Sequence, residues 1–373
     1  MLSRAKKRGN NMLDKTKLKK LLTGSIVPLL FLVISAIAIP ISKLSAGYLA
    51  SEIIARLMRN GFLVLSLLLP VMAGMGINFG MVLGAMAGQI GLVFVTAWEI
   101  TGVPGLLVAA LIGTPISILL GLFGGTILNR AKGREMITSM ILGLFTAGIY
   151  QLFLLFLIGS VIPLSNPKVI LSHGYGVRNS LNLLVARSLD NVWMLNIGSV
   201  RLPVVTLLVI VLLCLFTVWF RKTKLGQDMR AVGQDMEISA SSGIAVDRTR
   251  TLSIIISTMI ACYGQLIYLQ NIGTLNTYNG SDQTALFTAA ALLVGGAAVN
   301  KASISNVIFG TALFHLMFVV MPIAGKNITG QAQLGEYLRL FLSYGFITIA
   351  LIIHAWKRQK DKEIDRSALH SRK

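Results

Sequence analysis

Apolar residues fall in long unbroken runs along this chain, with little of the strict alternation of a half-buried strand. A bilayer core takes about 20 predominantly apolar residues per helix. Ten runs of roughly that kind can be drawn: 23–42, 61–78, 79–97, 103–128, 137–163, 203–220, 251–272, 284–299, 303–323 and 337–355. The stretch 61–97 is almost continuous, and Gly74-Met75-Gly76-Ile77-Asn78 marks the turn expected inside it. The short 284–299 run predicts a tilted, broken or re-entrant segment. The pattern predicts an all-α polytopic membrane protein. Residues 23–355 form one transmembrane domain, flanked by a basic N-terminus, 1–22, and a basic tail, 356–373.

Charge orients these spans. The chain has 34 Lys and Arg against 14 Asp and Glu, a net charge of +20. Such a balance can indicate nucleic acid, but here the cations gather at the two ends and in a few loops beside apolar runs. With the N-terminus in the cytoplasm, the inner stretches are 1–22, the turn near Asn78, 129–136, 221–250, 300–302 and 356–373. They hold about 25 of the 34 cations, as the positive-inside rule requires. Both termini are therefore expected in the cytoplasm. The first run follows a basic lead of about 22 residues and approaches full span length, which favours an uncleaved anchor over a secretory signal.

The spans are poor in ionisable groups. His315 lies well inside one run and Arg339 near the outer end of another. Intramembrane charge is costly and kept for function, so this scarcity disfavours the rival reading, an ion-coupled transporter or facilitator. No His/Asp/Glu cluster suggests an intramembrane enzyme, and Cys214 and Cys262 lie in apolar runs with no disulfide or metal spacing. No catalytic residue, metal or bound cofactor is expected. G-x-x-x-x-G-K-[ST] is missing and Gly325-Lys326-Asn327 matches it poorly, so ATP, if used, must bind a partner. Glycines such as Gly84, Gly88 and Gly91, Gly121, Gly124 and Gly125, and Gly295 and Gly296 suit close helix packing in lipid. Asn78, Gln89, Tyr150, Gln151, Tyr263, Gln265 and Tyr268 are candidates to line a path for neutral solutes, with interhelical hydrogen bonding as their other role. In the outer loop 164–202, Leu181, Leu184, Leu189, Trp193 and Leu195 predict an interfacial helix with Trp193 at headgroup depth.

The loop 221–250, RKTKLGQDMRAVGQDMEISASSGIAVDRTR, is longer than a connection needs. Met229, Val232, Met236 and Ser239 recur at helical spacing, with Gln227, Asp228, Arg230, Gln234 and Glu237 largely elsewhere. One amphipathic helix is predicted over 226–241, stopped by Gly243. Such a helix can dock in a groove of another protein or lie on lipid headgroups, and physics alone leaves both open.

This loop resembles that of the permease subunits of ABC importers of the ribose and branched-chain amino acid type, a family that includes nucleoside and riboflavin systems. The family pattern, roughly Ala-x-Gly-x-Asn-x-x-Ala-Ala-x-x-Ser-Gly-Ile-x-Val, is met by Ala231, Gly233, Asp235, Ser239, Ser242, Gly243, Ile244 and Val246, with Lys224-Leu225-Gly226 as its lead-in. Asp235 replaces the usual Asn and Ile238 the first Ala. Ala290 to Gly296 resembles the family's Ala-x-x-Leu-Gly-Gly element, and Gly310 a later glycine. Ala297-Ala298-Val299-Asn300-Lys301 departs from the usual Gly-rich turn. The resemblance is clear over 220–325, and the first half agrees in hydropathy and span order.

The resemblance implies about ten helices in two inverted halves, paired as a homo- or heterodimer in a bacterial inner membrane. It implies cytoplasmic ATPase subunits that bind ATP and Mg, and an extracytoplasmic binding protein that delivers a solute. The expected function is import of a small neutral polar solute, of the sugar or nucleoside class, by alternating access. Gly226, Asp228, Arg230, Ala231, Gly233, Asp235, Glu237 and Gly243 are the expected ATPase-coupling residues.

Overall fold

The computed structural model describes residues 27–198, 200–298, 301–342, 344–345, 348–349 and 352. The expected cytoplasmic stretches 1–22 and 356–373 lie outside the described residues. Helices dominate, and the molecule is a polytopic membrane protein. Among the described residues six helical segments are long and apolar enough to cross a bilayer, or seven if one bent pair counts as a single span.

The first described helix, α1 (Val27–Ser42), is shorter than a full span. Next come α2 (Ala46–Ser66) and α3 (Leu68–Met72), which together form one apolar segment. Ser45 caps α2 by accepting from the Tyr48 N–H. This corrects the 61–78 span, which begins far earlier because Glu52, Arg56 and Arg59 are carried within the helix. The expected turn does lie at 74–78. Gly74 and Gly76 adopt φ of 74° and 73°, a left-handed backbone that only glycine takes at little cost. The Asn78 carboxamide then accepts from the Gly80 N–H and starts a short 3-10 turn, Phe79–Met81, leading into α4 (Val82–Ala97).

Two long antiparallel helices follow, α5 (Gly102–Arg130) and α6 (Glu135–Leu152), the latter extended by a wider turn over Phe153–Leu157. Among the described residues of the connection 164–202 there is no interfacial helix. Leu181 is instead buried in β1 (Ser180–Asn182), while β2 (Met194–Ile197) and β3 (Val200–Pro203) form a hairpin beside exposed Trp193. Helix α7 (Val204–Phe220) then meets α8 (Lys224–Gln234) at 73°. A six-residue helix, α9 (Met236–Ser241), precedes α10 (Val246–Ile272), which ends at Gly273 in the left-handed conformation. Strand β4 (Thr274–Asn276) pairs antiparallel with β1, Leu275 opposite Leu181. Helix α11 (Thr284–Val294) is short, in keeping with the short 284–299 run. Helix α12 (Ile304–Thr329) opens with a capping box between Ser303 and Asn306. Residues 332–342 are helical; the expected 337–355 span is only partly within the described residues.

Helix α10 is the central post, packed on α5, α4 and α2, while α12 packs on α2 and α11. Glycines permit the close approach. A Cβ at Gly84 would overlap the Thr258 carbonyl, one at Gly91 the Ala109 carbonyl, and one at Gly295 the Asn306 carbonyl. The lipid-facing sides of α5, α6 and α7 carry exposed Leu111, Leu144 and Leu212, as a bilayer solvent allows.

Candidate functional site

Two places concentrate the candidate residues. At one end of the bundle lies the 221–250 segment. It forms two helices rather than one. The Asp235 carboxylate accepts from the N–H groups of Glu237 and Ile238 at 2.9 Å, so Asp235 ends α8 and caps α9. An Asn side chain offers an equivalent acceptor, which accounts for the departure at this position. Met229 and Val232 are fully buried and Ser239 nearly so, whereas Arg230, Asp235, Glu237, Ile238 and Gly243 are exposed. Asp228, Ala231 and Gly233 are half-buried and Gly226 is buried.

The buried face meets α3 and α10. Gly233 approaches Gly74 and the Met72 carbonyl so closely that a Cβ would overlap that oxygen. Beside it, a groove of about 720 Å³ runs between α8 and the α11–α12 turn, lined by Arg221, Arg230, Gln234 and Lys301 among others. Beneath α9, the buried Arg250 donates to Glu135 at 2.5 Å and Asn129 at 3.0 Å, and also to the Met236 sulfur.

Further along the bundle, α2, α10, α11 and α12 enclose a cavity of about 190 Å³. Asn60, Tyr268, Asn279, Gln283, Thr288 and His315 supply its polar lining, and Leu63, Val64 and Phe287 its apolar wall. His315 is only 6% exposed, stacked edge-on to Phe314 and Phe318, and its buried Nδ1 has no hydrogen-bond partner. No side chain lining the cavity carries a fixed charge. At the neighbouring loop, partial burial raises the Asp282 carboxyl above its ordinary value.

Of the seven expected path residues, Tyr268 lines this cavity. Four others converge on the 278–280 turn that forms part of its wall. Gln265 donates to the Gly280 carbonyl at 3.4 Å, and Gln151 to the Tyr278 carbonyl at 3.3 Å. Tyr150 donates at 2.9 Å to Gln89, whose amide nitrogen lies close to Gly280. Tyr263 instead pairs with Thr114 at 2.8 Å, tying α10 to α5, and Asn78 caps its turn. Asn60, Asn279 and Gln283 escaped the sequence reading because each fell outside a drawn span. Thr288 lay inside one and carried a readable signal, an uncharged hydroxyl within an apolar run.

The bundle also holds charges that the hydropathy pattern hid. Glu52, Arg56 and Arg59 lie on α2, with Arg56 paired to Glu52 at 3.2 Å. Arg59 stands 5.5 Å from the Tyr268 ring centroid and donates to Asn271. Asp190, 3% exposed, accepts from Thr206 at 2.6 Å, Gln270 at 3.2 Å and Asn271 at 2.7 Å. These contacts anchor the 186–191 turn to α7 and α10. Among the described residues, no group of three or more His, Cys, Asp or Glu could hold a metal.

Over 169 residues the chain is 25% identical to a Haemophilus influenzae protein named galactose/methyl galactoside import permease protein MglC. The match covers 45% of this chain and 48% of that relative, so it spans about half of each. No solved structure matches. The family described as the permease component of branched-chain amino acid transport systems matches residues 49–353, most of the helical bundle, and the chain belongs to that family of non-catalytic transport subunits.

Proposed function

We propose that this chain is the membrane-spanning permease subunit of an ATP-driven importer, carrying a small neutral polar solute of the sugar or nucleoside class across a bacterial inner membrane by alternating access. The observation that carries this reading is the docking of α8 and α9. Their apolar side is buried on α3 and α10 through Met229, Val232 and Gly233, while Arg230, Glu237 and Ile238 face outward. A rigid element seated this way can pass motion from a cytoplasmic ATPase to the spans beside it. Gly226, Asp228, Arg230, Ala231, Gly233, Asp235, Glu237 and Gly243 form the coupling segment. Ile238, 64% exposed, supplies an apolar knob at its tip.

The cavity lined by Asn60, Tyr268, Asn279, Gln283, Thr288 and His315 supports a solute with hydroxyl groups. Amides, a hydroxyl and an imidazole can exchange hydrogen bonds with it, and the Leu63, Val64 and Phe287 wall takes its apolar face. The galactoside named for the relative points to the same class. The partners in this reading are two ATPase subunits holding ATP and Mg, an extracytoplasmic binding protein, and a second permease copy or paralogue. Ten apolar segments in two inverted halves, with both termini cytoplasmic, complete it.

The test is reconstitution. The full chain, co-expressed with an ABC ATPase and an extracytoplasmic binding protein of this importer class, should accumulate radiolabelled D-galactose or a nucleoside in proteoliposomes only when ATP is supplied. Exchanging Thr288→Val or Asn60→Leu should raise the solute concentration needed for half-maximal uptake about tenfold or more, as expected when a buried polar contact is lost. Uptake by this chain alone, with no ATPase present, would overturn the proposal in favour of an ion-coupled carrier or facilitator.

A further inference from the structure

Arg250 is the largest fully buried side chain among the described residues. It sits near the start of α10, where four elements meet. Its guanidinium donates to Asn129 at the end of α5, to Glu135 at the start of α6, and to the sulfur of Met236 at the start of α9. Around it the same elements are tied again. The Asn129 amide donates to the Asp247 carbonyl at 2.8 Å and the Thr251 hydroxyl at 2.6 Å, and Lys132 pairs with Asp247 at 2.6 Å.

Removing a guanidinium and a carboxylate from water is costly, and well-packed apolar residues commonly stabilise such a site equally well. Stability alone is therefore a weak reason for this pair. What apolar packing lacks is direction. The planar guanidinium points separate N–H groups at separate elements, fixing the position of each against the others. The buried apolar face of α8 and α9 rests mainly on α3 and α10. Arg250 extends that seat across to α5 and α6, the two long spans whose ends lie at this level.

We propose that Arg250 is a positioning residue for energy coupling, clamping the start of α9 to the adjoining ends of α5 and α6 so that displacement of α8 and α9 moves those spans together with α10. Glu135 and Asn129 are its fixed partners. The inference rests on the coupling role of α8 and α9 proposed above.

The experiment uses the full permease with its ATPase, in nanodiscs. Spin labels are placed at exposed Leu119 on α5 and exposed Ile328 on α12, with Cys214 and Cys262 replaced by Ala. The distance change on adding ATP and vanadate is measured alongside ATP hydrolysis. Arg250→Met and, for a variant of unchanged shape, Glu135→Gln should each lower the fraction of complexes that move, per ATP hydrolysed, by about fivefold or more, the low end of a coupling free energy. Arg250→Lys should lose less, and the exchanged pair R250E/E135R should recover part of the motion. A clamp that served stability alone would lower the melting temperature and leave motion per ATP unchanged, overturning the proposal. So would unmodified complexes in which α5 stays still while ATP is hydrolysed. Failure of the unmodified chain to bind any ATPase would sink the coupling reading itself, a separate result.

Discussion

Gly233 rests its backbone on the carbonyl of Met72, the last residue of α3. Neither residue could separate without lifting α8 from the bundle, and the buried Met229 and Val232 side chains seal the same seam. Overpacking a tight contact typically costs about 1–3 kcal/mol. Gly233→Val should therefore weaken α8 docking, with Gly233→Ala intermediate. The measure is the amount of ATPase retained when the permease is purified. Full retention by the Val variant would contradict the tight seam.

Asp235 serves two helices. Changing it to Ala removes the acceptor for both N–H groups at the start of α9, and loss of such a cap costs about 1 kcal/mol. The thermal midpoint of the purified protein should fall for Asp235→Ala and stay near its starting value for Asp235→Asn. Equal losses in the two variants would show that charge, rather than the cap, is what matters.

Tyr150 is the hydrogen-bond donor to the Gln89 side-chain oxygen, and Gln89 is wholly buried, with its amide nitrogen unpaired. Tyr150→Phe strands that oxygen too, at a cost of about 1–3 kcal/mol. Adding Gln89→Leu removes the stranded group and should recover part of the loss. Thermal unfolding of both single variants and the double variant gives the coupling, and simple additivity would count against the bond.

Asp190 gathers donors from Thr206, Gln270 and Asn271. Truncation to Ala leaves three donors without their shared acceptor, and each buried donor left unpaired costs about 1–3 kcal/mol. The yield of folded protein extracted from membranes should drop sharply for Asp190→Ala and less for Asp190→Asn. Unchanged yield for both would mean that water replaces the carboxylate.

Hydropathy made most of the bundle legible because a bilayer demands long apolar helices, and most of the drawn runs coincide with one. It failed where the protein itself, rather than lipid, surrounds a helix. Helix α2 carries Glu52, Arg56 and Arg59 because neighbouring residues such as Asn271 and the Tyr268 ring meet the Arg59 charge. A sliding apolar pattern therefore started that span at residue 61. The 164–202 segment misled for a related reason. Leu181 and Leu189 recur at helical spacing, but Leu181 is buried by strand pairing to Leu275, a partner 94 positions away that periodicity cannot sense. At 226–241 the apolar stripe was legible and the break was not, since Asp235 reads as one more polar residue until its side chain is seen to turn back on the backbone. The polar cavity was half-legible. Tyr268 stood out by type and depth, whereas Asn279 and Gln283 sit in a turn where polar residues are ordinary.

The 73° angle between α7 and α8 makes the junction at 221–223 resemble a bell crank. Thr223 stiffens the corner, accepting from the Gly226 N–H while donating to the Phe220 carbonyl. In the proposed coupling, a sideways push on α8 would be turned through this corner into tilting of α7. Because α8 also rests on the end of α3 at Gly233, that push has a fulcrum close to the corner, at the same end of the bundle. In the coupling proposed above, a small shift of α8 would emerge as a larger swing at the opposite end of α7, where Pro203 and the β2–β3 hairpin hold its start.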